Sequence, residues 1–362
     1  MVSKDIEAQE KESFERDDAA ELPPSDIVSY NELRSCADLY RMYEQGILDI
    51  QPEFQRDFVW KGPDQTRFID SLTKQLPIPS MCFAHDHKIQ KWIVIDGLQR
   101  ISTIIRFLSG GDWTLSKLED IDPELAGKSV AAIKTSDPKL RHFYMRIENL
   151  SIPITVLRCD FSKRNHMEFL FTIFHRLNTG GMKLNNQEIR NCIYGGSLNS
   201  LLRELDEAAN WRKLNRMAAG NSYRFTKQEI ILRLFAFYDR HKKYDGHLAK
   251  FLNSYMHEHR SDPDVDIANR RDLFERTTNI LLNKVFEGRA PAKLSVTLLE
   301  AALVGIAKNL HTLESTTSAE LKKRYSELVD DKEFSDEALR EGLSKRNRVI
   351  GRLDAAIHIF GK

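Results

Sequence analysis

The chain has 362 residues, 54 Lys and Arg against 53 Asp and Glu, and 41% hydrophobic residues. That suffices for one large or two moderate domains, and no apolar run approaches the roughly 20 residues of a membrane span. Without an apolar signal-peptide core at the N-terminus a cytoplasmic location is expected, and Cys36, Cys82, Cys159 and Cys192, which lack CxxC spacing, read as reduced, buried thiols.

Residues 1–25 are acidic, poor in apolar side chains and close on Leu22-Pro23-Pro24-Ser25, the composition of a disordered tail. Residues 1–26 hold three basic and nine acidic side chains, a balance of −6 that leaves +7 on residues 27–362 of a chain whose net is +1. The body is mildly basic, which permits a polyanionic partner. From Tyr30 to Glu44 the apolar spacing predicts a helix, followed by a strand over 49–51. After Gly62-Pro63, Asp64 is the expected N-cap of a helix reaching Leu76. Met81–Ala84 and Lys91–Ile95 predict two strands around a solvated turn, with His85 and His87 flanking Asp86. Residues 112–150 give only helical fragments and read as an insertion. A strand over Ile152–Cys159, a helix capped by Ser162 and a helix over Leu184–Ile193 follow, and from Leu198 the pattern is helical almost throughout. The fold class is therefore α+β: a small mixed sheet with interleaved helices over 26–195, then an all-helical domain over 196–362.

Chemistry concentrates in three blocks. In the first, Gln55 and Arg56 precede Trp60. In the second, the apolar run Ile93-Val94-Ile95 stops at Asp96-Gly97 and a helical pattern begins at once with Leu98, Gln99 and Arg100. A strand-to-helix turn of this kind gathers free N–H groups and the positive end of the helix dipole, a natural seat for phosphate. Arg100 adds a bidentate donor, and Asp96 a carboxylate able to hold a metal ion or orient water. In the third, Arg176 precedes Asn178-Thr179-Gly180-Gly181, small residues whose backbone can form an anion nest, with Glu188 and Arg190 beyond. Each block alone is compatible with a structural turn; three together favour a phosphate or nucleotide site.

Taken in order, Gln-Arg-x-x-x-Trp, Asp-Gly-x-Gln-Arg after a strand, and Arg-x-Asn-x-Gly-Gly-x-x-Leu-x-x-x-Glu-x-Arg strongly resemble the N-terminal domain of GmrSD-type modification-dependent restriction systems, domain-of-unknown-function family 262, with a ParB/sulfiredoxin-like fold. The resemblance spans about residues 30–260. It implies nucleoside-triphosphate (NTP) binding, GTP or another base, with Mg2+, and hydrolysis that licenses DNA cleavage in antiphage defence. Carried over, Asp96, Gln99, Arg100 and Glu188 would be catalytic and Gln55, Arg56, Gly97, Arg176, Asn178 and Gly180 would bind the nucleotide, with Asp96 and Glu188 as metal ligands. The family commonly has Asp-Gly-Gln-Gln-Arg, where this chain has Leu98. Many relatives also continue into a His-Asn-His nuclease, whereas His241, His247, His257, His259, His311 and His358 are scattered here, and His257-Glu258-His259 reads as a helix end.

The expected function is an NTP-binding regulatory protein, with or without hydrolysis, acting on DNA with a separate nuclease. The alternatives are a non-hydrolysing DNA-binding scaffold of the same fold, and a ParB-like metal-dependent nuclease. Two basic strips read first as solvated helix faces and alternatively as DNA contacts: Arg212, Lys213, Arg216 and Arg224 around Trp211 and Tyr223, and Lys345, Arg346, Arg348 and Arg352.

Overall fold

The computed structural model describes residues 24–50, 60–135, 138–177, 184–217, 226–292, 294–335, 337–339 and 342–362. The chain divides into two compact units, one of them Pro23–Leu184 and the other built on Asn185–Lys362.

The first unit runs β1 (Val28–Ser35), α1 (Cys36–Glu44), β2 (Leu48–Asp49), α2 (Gly62–Thr73), β3 (Met81–Asp86), β4 (Lys91–Asp96), α3 (Leu98–Ser109), α4 (Val130–Thr135), α5 (Pro138–Glu148), β5 (Ser151–Cys159) and α6 (Arg164–Leu177). Its five strands form one mixed sheet in the order β1-β5-β3-β4-β2. β1 lies antiparallel to β5 and β3 antiparallel to β4, while β3 with β5 and β2 with β4 are parallel. The core sits between sheet and helices. Phe83, Trp92, Val94, Ile152, Ile154 and Val156 meet Leu39, Ile69, Leu72, Ile101, Ile104 and Phe107 from α1, α2 and α3. Burying each such side chain stabilises the unit by about 1.5–3 kcal/mol.

Three expectations change. The helix expected from Tyr30 begins only at Cys36, because Val28–Ser35 pairs along its whole length with β5 and Ser35 caps the helix through the Asp38 N–H. The α2 helix begins at Gly62 with Lys61 as N-cap; Pro63 occupies the first turn, where its missing N–H costs nothing, and Asp64 lies inside the helix. Residues 112–150 are no peripheral insertion. Trp113, Leu115, Leu125, Val130, Ile133, Phe143 and Ile147 belong to the same core. Their apolar residues are spread over short elements, so no long period announces them.

The second unit is helical: α7 (Asn186–Ile193), α8 (Ser197–Asp206), α9 (Ala209–Leu214), α10 (Thr226–Arg240), α11 (Leu248–His259), α12 (Asp264–Asn279), α13 (Val296–Lys308), α14 (Leu310–Leu313), α15 (Ser318–Val329) and α16 (Arg346–Gly361), with a π-helical segment at Ile280–Val285. A buried ion network ties its helices together. Glu229 accepts from Arg190 Nη1 at 3.0 Å and Arg233 Nε at 2.8 Å, and Arg233 also reaches Glu300 at 3.2 Å. All four cysteines are buried and unbridged, as expected, and burial pushes the thiols of Cys36, Cys82 and Cys159 up to about 12. Among the described residues no helix is long and apolar enough to cross a membrane.

Candidate functional site

The Asp96–Arg100 turn forms as the sequence suggests, at a strand-to-helix junction. β4 ends at Asp96, and α3 begins at Leu98 with Gly97 as N-cap in the left-handed region, φ 94° and ψ 17°. Only glycine takes that conformation without penalty, and a Cβ at Gly97 would also lie 2.5 Å from Met81 Cγ. A glycine N-cap has no side chain to accept the first N–H groups of the helix, so the cap leaves them for another acceptor. The helix itself is firmly seated, with Ile101, Ile104, Ile105, Phe107 and Leu108 buried and Gly110 closing it in a second left-handed conformation.

Each polar side chain of the turn has a definite partner. Arg100 Nη2 donates to Asp96 Oδ2 at 2.8 Å, and Nη1 donates to the Pro79 carbonyl. The Arg100 side chain is 15% exposed and the Asp96 side chain 39%. Gln99 Oε1 accepts the backbone N–H of Trp60 at 2.9 Å, and the Trp60 ring packs edge-on against Phe68 with centroids 5.2 Å apart. The last residue of the first block is thus fastened to the second block. Leu98 is half-buried and packs against the core. Gln55 and Arg56 lie outside the described residues, as do Asn178 and Gly180.

Arg176 is exposed in the last turn of α6, in the sheet unit. Glu188 and Arg190 lie on α7, in the helical unit. Asn185 and Glu188 form a capping box: Asn185 Oδ1 accepts the Glu188 N–H at 2.9 Å, and Glu188 Oε2 accepts the Asn185 N–H at 2.6 Å. Arg190 is wholly buried, donating to Asn253 at 2.9 Å and to Glu229. Among the described residues no group of three His, Cys, Asp or Glu side chains has the arrangement of a metal site. A magnesium ion at the turn would meet the Asp96 carboxylate and would take other ligands from nucleotide phosphates and water, the ordinary habit of Mg2+.

The basic strips fare unevenly. Trp211 is fully buried, donating its indole N–H to Asp206 at 3.2 Å, and Arg212 pairs with Glu207 at 2.6 Å; Tyr223 and Arg224 lie outside the described residues. Arg352 is also buried, bound to the Leu343 carbonyl at 2.7 Å, and cannot serve as a surface cation. In the β3–β4 turn Asp86 is buried rather than solvated, accepting the N–H groups of Lys88, Ile89 and Phe161, while His85 stacks on Trp92. Of the Asp86 partners only Phe161 is distant in sequence, 75 positions on, and local pattern gives no warning of that contact.

The Asp-Gly-x-Gln-Arg sequence thus sits at a strand-to-helix turn of a mixed-sheet α+β unit. Residues 36–195 match the family model of the GmrSD restriction endonuclease N-terminal domain, and the chain carries a GmrSD-type N-terminal domain. The matched segment takes in all three blocks and runs past Asn185 into the helical unit. Neither a curated protein nor a solved structure gives a significant match.

Proposed function

We propose that the protein is the nucleotide-responsive regulatory component of a DNA-targeting restriction system, binding an NTP with Mg2+ at the Asp96–Arg100 turn and acting with a separate nuclease. The observation that carries this reading is the turn itself: a left-handed glycine N-cap opening a well-packed helix, beside an arginine already oriented by Asp96 and the Pro79 carbonyl. The N–H groups of the first helical turn receive phosphate oxygens, and the dipole favours their charge. Arg100 has five N–H donors in all, so its two protein partners leave others for the ligand. Gln99 holds the Trp60 end of the first block, and Gln55 and Arg56 are assigned to the site by the family resemblance. Arg176, Asn178 and Gly180 are assigned to it by the same resemblance.

A second reading, a non-hydrolysing DNA-binding or scaffold protein, is favoured by one observation: Leu98 puts a core-packed apolar side chain where the family commonly has glutamine. Binding and turnover are separable by experiment. NTP with Mg2+ should raise the melting temperature of the wild-type protein, because a ligand bound only by the folded state stabilises it, and Arg100→Gln should abolish that shift. An undiminished shift in the variant would sink the site. Phosphate release measured for wild type and Leu98→Gln then decides between the two readings: turnover appearing only in Leu98→Gln supports the scaffold. Cleavage of plasmid by the purified protein and Mg2+ alone would favour the third alternative, a nuclease using Asp96 and Glu188.

A further inference from the structure

The end of the sheet opposite the Asp96 turn holds a second polar concavity. There β3 and β5 finish side by side as parallel strands, Asp86 beside Cys159, and β1 starts with Val28 opposite Arg158. Asp96 pairs with Cys82 at the other end of β3, roughly 13 Å away at about 3.3 Å per residue. A cleft of about 300 Å3 opens at the carboxyl ends of the parallel pair, lined among others by Asp26, Lys88, Arg158, Asp160, Lys163 and His166. Crevices at the carboxyl ends of parallel strands are a recurrent place for ligands.

The lining is built and fixed in place. Asp160 is buried; its Oδ1 accepts the Ser162 N–H at 2.9 Å and the Ser162 hydroxyl at 2.5 Å, and its Oδ2 faces Lys88 Nζ at 2.7 Å. Burial opposes ionisation of Asp160, but Lys88 and the Ser162 donors outweigh it and hold the carboxyl below the usual range. His166 is buried too. Its Nδ1 accepts the Asp160 N–H at 3.0 Å, which leaves the proton on Nε2 to donate to Asp26 at 2.8 Å. Asp26 also pairs with Lys163, and that contact together with His166 lowers its pKa to about 2. His87 donates from Nδ1 to the Cys159 carbonyl at 3.0 Å. Every carboxylate in the lining is therefore already claimed by a cation or a donor. Arg158 is different: its side chain is exposed and makes no hydrogen bond or ion pair among the described residues.

We infer that this cleft binds a small oxyanion of the phosphate class, held bidentately by Arg158 with Lys88 and Lys163 at its flanks. The carboxylates hold the two lysines in position, and a planar guanidinium fits two oxygens of a tetrahedral anion. A metal cation finds no unclaimed carboxylate there.

Inorganic phosphate titrated calorimetrically into the full chain tests the assignment. Saturable binding is expected, weakened at least tenfold in Arg158→Gln, partly restored in Arg158→Lys, and with its Arg158-dependent component intact in Arg100→Gln. That last arm separates this cleft from the nucleotide site proposed above. A melting curve unchanged for Arg158→Gln shows that the variant is folded, as its exposure predicts. Wild type that does not bind phosphate, or Arg158→Gln that binds like wild type, overturns the inference. Arg158-dependent binding of a short DNA duplex without binding of free phosphate overturns it as well, since the cleft would then belong to a nucleic-acid surface.

Discussion

Gly97→Ala is the substitution that most directly tests how the Asp96–Arg100 turn is held. Its cost has two parts. At φ 94° any residue with a Cβ sits in the left-handed region, at about 1–2 kcal/mol. The new methyl would also meet Met81, with Cγ at 2.5 Å, Sδ at 2.9 Å and Cβ at 3.0 Å. Met81 is fully buried, so its side chain yields only by disturbing its neighbours, and overpacking of this kind costs about 1–3 kcal/mol. Together they predict a loss of roughly 2–5 kcal/mol, or roughly 5–15 °C in the transition of the sheet unit. Scanning calorimetry of wild type and Gly97→Ala measures it, and repeating the pair in a Met81→Ala background divides it. Without Cγ and Sδ the steric part shrinks, and the cost of Gly97→Ala should fall toward the backbone part of about 1–2 kcal/mol. An equal cost in both backgrounds would refute the Met81 contact. A cost below about 0.5 kcal/mol would refute the strained turn altogether.

In the helical unit, Glu229→Gln should cost about 3–5 kcal/mol in chemical denaturation, because Arg190 and Arg233 would be left buried with Glu300 as the remaining carboxylate of the network; an unchanged midpoint would show that the network's charge balance contributes nothing. Burial pushes the Asp206 carboxyl up to about 6, against the opposing Trp211 hydrogen bond. Its folded-state pKa is raised, so its contribution to stability is complete below the unfolded value near 4 and is lost as pH rises through about 6. Asp206→Asn should flatten that slope and raise stability at pH 7 by on the order of 2–3 kcal/mol; melting at pH 4.5 and pH 7 checks it, and a wild-type slope in the variant would count against the assignment.

What the sequence made legible was whatever a short contiguous stretch builds. β4, Gly97 and α3 are one run from Lys91 to Ser109, so the strand, the turn and the helix could be read directly. The β3–β4 pair and β5 were legible for the same reason. β1 was not: its residues fit a helical spacing, and only pairing with β5, more than a hundred residues on, makes them a strand. Trp211 and Arg352 looked like parts of basic surface strips because charge is local and burial is not. The Arg158 cleft was invisible, since its lining comes from the chain near Asp26, the β3–β4 turn, the end of β5 and the start of α6. Even the Asp96 turn hid one relation, the hydrogen bond from the Trp60 N–H to Gln99 across 39 positions.

That hydrogen bond bears on how binding and turnover divide at the proposed site. Leu98 is committed to the core, so the turn's side-chain polarity rests on Asp96, Gln99 and Arg100. The carboxamide oxygen of Gln99 is already occupied by a backbone N–H, and releasing it to orient a water would give up a bond contributing about 0.5–1.5 kcal/mol. Phosphate capture asks for none of this, because the helix N–H groups and Arg100 are in place regardless of residue 98. Nucleotide binding should therefore be insensitive to Leu98→Gln while phosphate release responds to it. A Leu98→Gln protein whose nucleotide-induced melting shift changes as much as its turnover would show that position 98 belongs to the binding surface and that the division drawn here is wrong.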